Sequence, residues 1–377
     1  MKIGVDARLL SRPLTGIGRY LLEMCRALSK IDKVDLYLFS PARILPNNLP
    51  GLESAKLITS QSDKYFFSRQ IWSKCILPFL VRSKNIDVFW GPAHSLPPFL
   101  PQRLARVVTI HDLVWKFAPS TMRTYSYLLE RFQMPYSVNS ADLVVVASHA
   151  TAAAALEEFN LDETNITVVS PGAGIQIEYI LNDACDEQLI NKDYFLFVGT
   201  LEPRKNLSRL LIAYSKLSVC VREQANLVIV GGKGWGKVDV YRMLEELDLA
   251  KYVVILGYVD DSNLLKLYKN AKFLAMPSLY EGFGLPILEA MVHGIPVLTS
   301  NNSSMPEVAG NAGLFVDAKD VDSIKSSLEI LITNKSVREK LAKNAKLNAE
   351  RFDWYRSATA LFSVIVEAVS KKDRRLL

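Results

Sequence analysis

Short apolar runs rich in β-branched and aromatic residues alternate with runs of helical period along the second half of the chain. YFLFVGT precedes NLSRLLIAYSKL, NLVIVGG precedes DVYRMLEELDLA, YVVILGYV precedes SNLLKLYKNA and KFLAMPS precedes LPILEAMVHG, with PVLTS closing the series. This alternation predicts a parallel sheet wrapped by helices, over about residues 190–353. The first half, residues 1–173, repeats the pattern more loosely, with strands expected at KIGVDA, DLYLFS, IDVFWG, ARVVTIHD, ADLVVVAS and ITVVSPG. It reads as a second α/β domain. Between the two, Gly174 to Asp193 is polar and without period, as a linker would be. In open parallel sheets ligands collect at the carboxyl ends of the strands. That rule directs attention to TGIGRY, HDL, GTLEPRKN, and GGKGWG with GYVD.

Length and composition agree with two soluble domains. The chain has 377 residues, beyond the roughly 250–300 at which a single core stops growing. It is 49% hydrophobic and 22% charged, which excludes disordered and collagen-like classes. Asp6 interrupts the N-terminus before an apolar signal region could form, and no apolar run approaches the ~18 residues of a membrane span. Cys25, Cys75, Cys185 and Cys220 lie far apart with no CxxC pair, so a reducing cytoplasm is expected and a disulfide framework is not. His94, His149 and His293 have no partner at metal-ligand spacing, so no metal site is expected. The net charge of +6 is not gathered into a basic block and by itself points to no particular anionic partner.

The segment YEGFGLPILEA, from Tyr280 to Ala290, holds two carboxylates in an otherwise apolar run. Pro286 suits the first position of a helix and Gly294 with Pro296 marks its end. A helix N-terminus presents unpaired N–H groups and partial positive charge, and Gly282 and Gly284 let a phosphate approach the backbone. Glu281 then lies on the loop before the helix and Glu289 about one turn inside it. The helix is apolar almost all round, so Glu289 needs a polar partner when buried; a ribose diol is the partner expected. In GTLEPRKNL, Arg204 and Lys205 follow a strand and could clamp a diphosphate, or form a solvated pair. TGIGRY lacks the third glycine of a dinucleotide fingerprint, leaving either an ordinary βα turn or a glycine turn open to a phosphate, in which Gly16 is the better contact than Gly18. His111 ends a strand and either contacts substrate or is satisfied by a backbone carbonyl. Tyr258, after another strand, suits stacking on a flat base, or the glycine-rich segments around it serve as turns alone. Asp320 and Asp322 read as a helix N-cap rather than a Mg²⁺ pair.

Taken together these motifs resemble the retaining nucleotide-sugar glycosyltransferases of family four. The resemblance spans nearly the whole chain and includes TIHDL, VVASHAT, VSPGAG, GNAGLFVD and RFDWYRSA. It implies the GT-B fold: two Rossmann-like α/β domains facing across a cleft, with a final helix, 354–377, returning to the first domain. It also implies that Glu281 and His111 contact the donor sugar, that Arg204, Lys205 and Gly16 bind the diphosphate, and that Glu289 holds the ribose. The backbone of Phe283, Gly284 and Leu285 would support sugar and phosphates. The implied reaction is a front-face transfer with retention, with a nucleotide sugar as substrate, and with neither a cofactor nor a metal.

The appearance is most like mannosyltransferases that build bacterial surface polysaccharides from GDP-mannose, although related enzymes use UDP-sugars and no residue here distinguishes guanine from uracil. The acceptor implied is a growing glycan or lipid-linked saccharide, without a nucleic-acid partner. The basic, aromatic stretch from Lys64 to Lys84 could rest on the inner face of an anionic membrane, or be an ordinary core helix. A dehydrogenase would need the full glycine fingerprint, which is missing. An epimerase or a non-catalytic nucleotide-sugar-binding subunit would share the fold.

Overall fold

A computed structural model describes residues 1–60, 70–173, 192–236 and 239–376. The expected linker lies outside the described residues except for its last two positions. The chain packs as two compact units, one comprising Met1–Leu113, Leu128–Gly172 and Phe352–Leu377 and the other Val114–Tyr127 and Ala173–Arg351.

The first unit is built on seven strands: β1 Lys2–Asp6, β2 Asp35–Ser40, β3 Lys56–Thr59, β4 Val88–Gly91, β5 Ala105–Ile110, β6 Leu143–Val146 and β7 Ile166–Val168. They form one parallel sheet in the order β3-β2-β1-β4-β5-β6-β7. Six of the seven were expected from the pattern. β3 was not, because its four residues are mostly exposed and carry no continuous apolar run. Ile3 and Val5 of β1 meet Leu21, Met24 and Cys25 of the helix Gly16–Leu28, and Leu361, Val364 and Ile365 of the C-terminal helix Trp354–Leu376 join the same core. Each such side chain contributes on the order of 1.5–3 kcal/mol by leaving water. Gly172 lies so close to this final helix that an added Cβ would come within 2.3 Å of the Trp354 backbone nitrogen.

The second unit holds β8 Tyr194–Val198, β9 Asn226–Val230, β10 Val253–Gly257, β11 Leu274–Met276, β12 Val297–Ser300 and β13 Gly313–Val316. These are parallel, in the order β10-β9-β8-β11-β12-β13. Strands covered on both faces read as unbroken apolar runs, as YFLFV does here with all five residues buried. β13 lies at the sheet edge and is only partly buried, so its pattern is faint. Among the described residues no helix is long and apolar enough to cross a membrane.

Both sheets are doubly wound, and each has a point where the strand order reverses: between β1 and β4 in the first, and between β8 and β11 in the second. The loops that leave the two central strands at such a point diverge to opposite faces and leave room for a ligand.

Candidate active site

At the reversal in the second sheet, the loop after β8 carries Arg204 and Lys205, and the loop after β11 carries Glu281. The first forms a 3-10 turn, Pro203–Lys205, opened by a proline that fixes its own backbone angle. The two loops are tied by a backbone bond from Leu279 N to Arg204 O of 2.8 Å. Lys205 Nζ donates to Glu281 Oε1 at 2.7 Å, and Arg204 bridges Glu281 Oε2, Glu202 Oε1 and the carbonyl of Tyr280. The alternative of a solvated pair for Arg204 and Lys205 is therefore not met, for Lys205 is buried. Its stem runs over Gly199, where a Cβ would meet Lys205 Cε at 3.3 Å and where φ is +147°. A side chain at this position would push the ammonium out of place.

Burial alone would raise the Glu281 carboxyl, but the charges and hydrogen bonds of Arg204 and Lys205 outweigh it and hold it at about 2. Glu281 is thus an anion at any working pH and not a proton donor. Its loop is held from the β12 side. Ser303 Oγ accepts from Glu281 N at 3.0 Å and donates to Glu281 O at 2.8 Å, while Ser304 Oγ lies 2.9 Å from Glu281 O and 3.0 Å from Phe283 O. Asn206, with φ +62°, donates through Nδ2 to the carbonyls of Pro277 and Ala318.

The helix that follows spans Leu285–Val292, with Gly284 as its N-cap. Leu285 is therefore the first helical residue, and Pro286 occupies the second position rather than the first. Gly284 has φ +98°, and a Cβ there would meet Ile287 Cδ1 at 3.1 Å and Met276 Cε at 3.2 Å. Glycine is required for both reasons. Phe283 is buried and Tyr258, just after β10, is exposed. Glu289 is buried inside the helix, and its Oε2 accepts from the hydroxyl of Tyr268 at 2.8 Å. Tyr268 belongs to the helix Asp261–Asn270.

In the first unit, Gly16 is exposed and opens the helix Gly16–Leu28, whereas Gly18 is buried with Leu14 Cδ2 at 3.2 Å from the position of a Cβ. His111 follows β5 and is buried. Its Nε2 lies 2.6 Å from Pro92 O; a carbonyl only accepts, so Nε2 carries the hydrogen. The carbonyl partner foreseen as one alternative for His111 is present. Burial, with the neighbouring His94 ring, pushes its pKa down to about 3 against the opposing pull of the Pro92 carbonyl and Asp112. The imidazole is neutral at physiological pH, with the Tyr20 ring edge-on at 4.7 Å. Asp320 caps the helix Val321–Thr333 by accepting from Asp322 N.

Four residues of this arrangement were not singled out from the sequence: Glu202, Tyr268, Ser303 and Ser304. The only local signal was Glu202, two positions before the Arg-Lys pair. The others meet their partners across 21 to 23 positions of chain, which no spacing rule reveals.

A family model described as Glycosyltransferase Family 4 matches residues 14–176, and one described as Glycosyl transferases group 1 matches 186–348. The O-antigen chain mannosyltransferase B of Escherichia coli is 30% identical, over 95% of this chain and 98% of its own. The chain belongs to the family-four glycosyltransferases. The O-antigen chain mannosyltransferase RfbU of Salmonella typhimurium is 26% identical over 86% of this chain and 89% of its own. Among solved structures, sucrose-phosphate synthase from Thermosynechococcus elongatus matches with a TM-score of 0.76 at 18% identity, covering 98% of this chain and all of its own. WaaG, a glycosyltransferase of lipopolysaccharide biosynthesis, matches with a TM-score of 0.71 at 17% identity, covering 97% and 99%. The fold of this family-four enzyme is thus GT-B.

Proposed function

We propose that this glycosyltransferase moves mannose from GDP-mannose to a growing glycan or lipid-linked saccharide, with retention of anomeric configuration. The observation that carries the site assignment is the ion-pair cluster that Arg204 and Lys205, on the loop after β8, form with Glu281, on the loop leading into the Leu285–Val292 helix. Two cations and a helix N-terminus together suit a diphosphate. The choice of mannose is supported by the names of the relatives, which are O-antigen mannosyltransferases.

In the proposed front-face reaction the bond from C1 to the phosphate oxygen breaks while the acceptor oxygen bonds C1 on the same face, and the departing phosphate oxygen takes the acceptor proton. Arg204 and Lys205 meet negative charge as it develops on the diphosphate. Because Glu281 remains ionised, its role is to accept from sugar hydroxyls and to face the positive charge of the sugar; it supplies no proton. With two cations already at the diphosphate, the proposal needs no metal. Glu289 is assigned to the ribose, Tyr258 to the base, the Phe283–Leu285 backbone to sugar and phosphates, His111 to the sugar and Gly16 to the diphosphate.

Peripheral membrane contact is part of the same proposal. Of the basic, aromatic stretch, 64–69 lie outside the described residues. In the remainder Trp72, Leu77 and Val81 are buried, while Ile71, Ile76 and Phe79 are exposed beside the cations Lys74 and Arg82. A face of that composition suits an anionic lipid surface.

A thermal-shift panel of GDP-mannose, UDP-glucose, UDP-galactose and UDP-N-acetylglucosamine tests the donor, since a ligand of the folded state alone raises its stability. Stabilisation by GDP-mannose and acceptor-dependent release of GDP are expected. Stabilisation by a UDP-sugar alone would replace the donor, and an epimerised free sugar would reject transfer altogether.

A further inference from the structure

Tyr268 is fully buried, and its hydroxyl donates to Glu289 Oε2 at 2.8 Å. Its ring stacks on His293, at the C-terminal end of the Glu289 helix, with centroids 6.0 Å apart and planes 22° from parallel. The Tyr268 helix starts just beyond Gly257 and Tyr258, its N-cap Asp260 accepting from Asn263 N. One phenol thus joins the helix rising from the proposed base loop to the carboxylate proposed for the ribose.

A glutamate side chain has three rotatable torsions, and ordering them costs binding energy unless the protein has already done so. A carboxylate has two oxygens and about four acceptor positions, and the phenol takes one of them. From this geometry we infer that Tyr268 is a positioning residue for nucleotide recognition, fixing the Glu289 carboxylate in the orientation that accepts from the ribose hydroxyls. The inference rests on the assignment of Glu289 to the ribose. Tyr268 touches no substrate; it acts through Glu289, and its consequence is discrimination between a ribonucleotide and a 2′-deoxyribonucleotide.

The test is the ratio of dissociation constants for 2′-deoxy-GDP and GDP, or for the uridine pair if the donor panel selects uridine. It is measured on wild type, Tyr268→Phe, Glu289→Ala and the double variant. Tyr268→Phe keeps the ring and its stack on His293 and removes only the donating oxygen. A uniform loss of stability moves both affinities together and leaves the ratio alone, so a purely packing role would not register. The wild-type ratio is expected to be about tenfold or more, the worth of a hydrogen bond to a charged group. It should fall several-fold in Tyr268→Phe and to near one in Glu289→Ala, and the double variant should match Glu289→Ala. If Glu289→Ala loses the discrimination while Tyr268→Phe keeps all of it, the inference is overturned and the ribose assignment stands. A wild-type ratio near one, or a ratio unchanged in Glu289→Ala, overturns the ribose assignment and the inference with it.

Discussion

A carboxylate taken out of water keeps its charge only where cations repay the lost hydration, and Glu281 has two of them within hydrogen-bonding distance. Glu281→Gln should therefore do more than remove the proposed sugar contact, because it leaves Arg204 and Lys205 underbalanced in a buried site. Breaking such a pair typically costs about 3–5 kcal/mol, and transfer should fall by about 10²-fold or more; steady-state rates and a melting curve report both. The unfolded carboxyl titrates near pH 4.5 and the folded one at about 2. Within that window the unfolded chain takes up a proton that the folded chain refuses, so the stabilisation is complete above it and is lost as the pH falls through it. The stability gap between wild type and Glu281→Gln should accordingly narrow from pH 4.5 to 2 in denaturant titrations. His111 should give no limb to the pH–rate profile near its usual 6.5, since burial keeps it neutral down to about 3. At this scale the sequence showed which residues to examine but not the bonds they make. The apolar neighbours of Glu289 demanded a partner, and the nearest answer proved to be Tyr268, 21 positions away.

Elements matter here through the loops between them. The Glu281 loop is held by Ser303 and Ser304 from beyond β12, so Ser304→Ala should loosen the backbone at Glu281 and Phe283. We expect about 1 kcal/mol of lost stability but roughly tenfold slower transfer, because a small misplacement of reacting groups is costly. Gly284→Ala should cost more stability, about 1–2 kcal/mol for a side chain at positive φ, with the Ile287 and Met276 contacts in addition. Its donor affinity should fall as well, measured by isothermal titration. On the first unit, Phe79→Glu should abolish sedimentation with anionic phosphatidylglycerol vesicles and leave the melting temperature unchanged, since Phe79 is 72% exposed. Buried strands were readable because both of their faces are apolar. The edge strands β3 and β13 were not, because half-exposed residues carry little pattern.

Across the whole molecule, the chain returns at its end to complete the unit in which it began. Trp354, Ala358, Leu361, Val364, Ile365 and Ala368 lie in one core with Ile3 and Val5. A chain ending at Arg351 should therefore lose protection from proteolysis within residues 1–172 while keeping it within the second unit. That return was legible only through resemblance, since an amphipathic helix does not say which sheet it covers. The reversal of strand order explains why the Arg-Lys loop and the Glu281 loop, separated by two strands and their helices in sequence, lie side by side: β8 and β11 are neighbours. The proposed reaction depends on those cations holding the leaving diphosphate. Its most direct test is acceptor-dependent release of nucleoside diphosphate by Lys205→Ala at saturating donor. We expect the rate to drop by about 10²-fold or more with the fold intact by circular dichroism, and a wild-type rate would contradict the account.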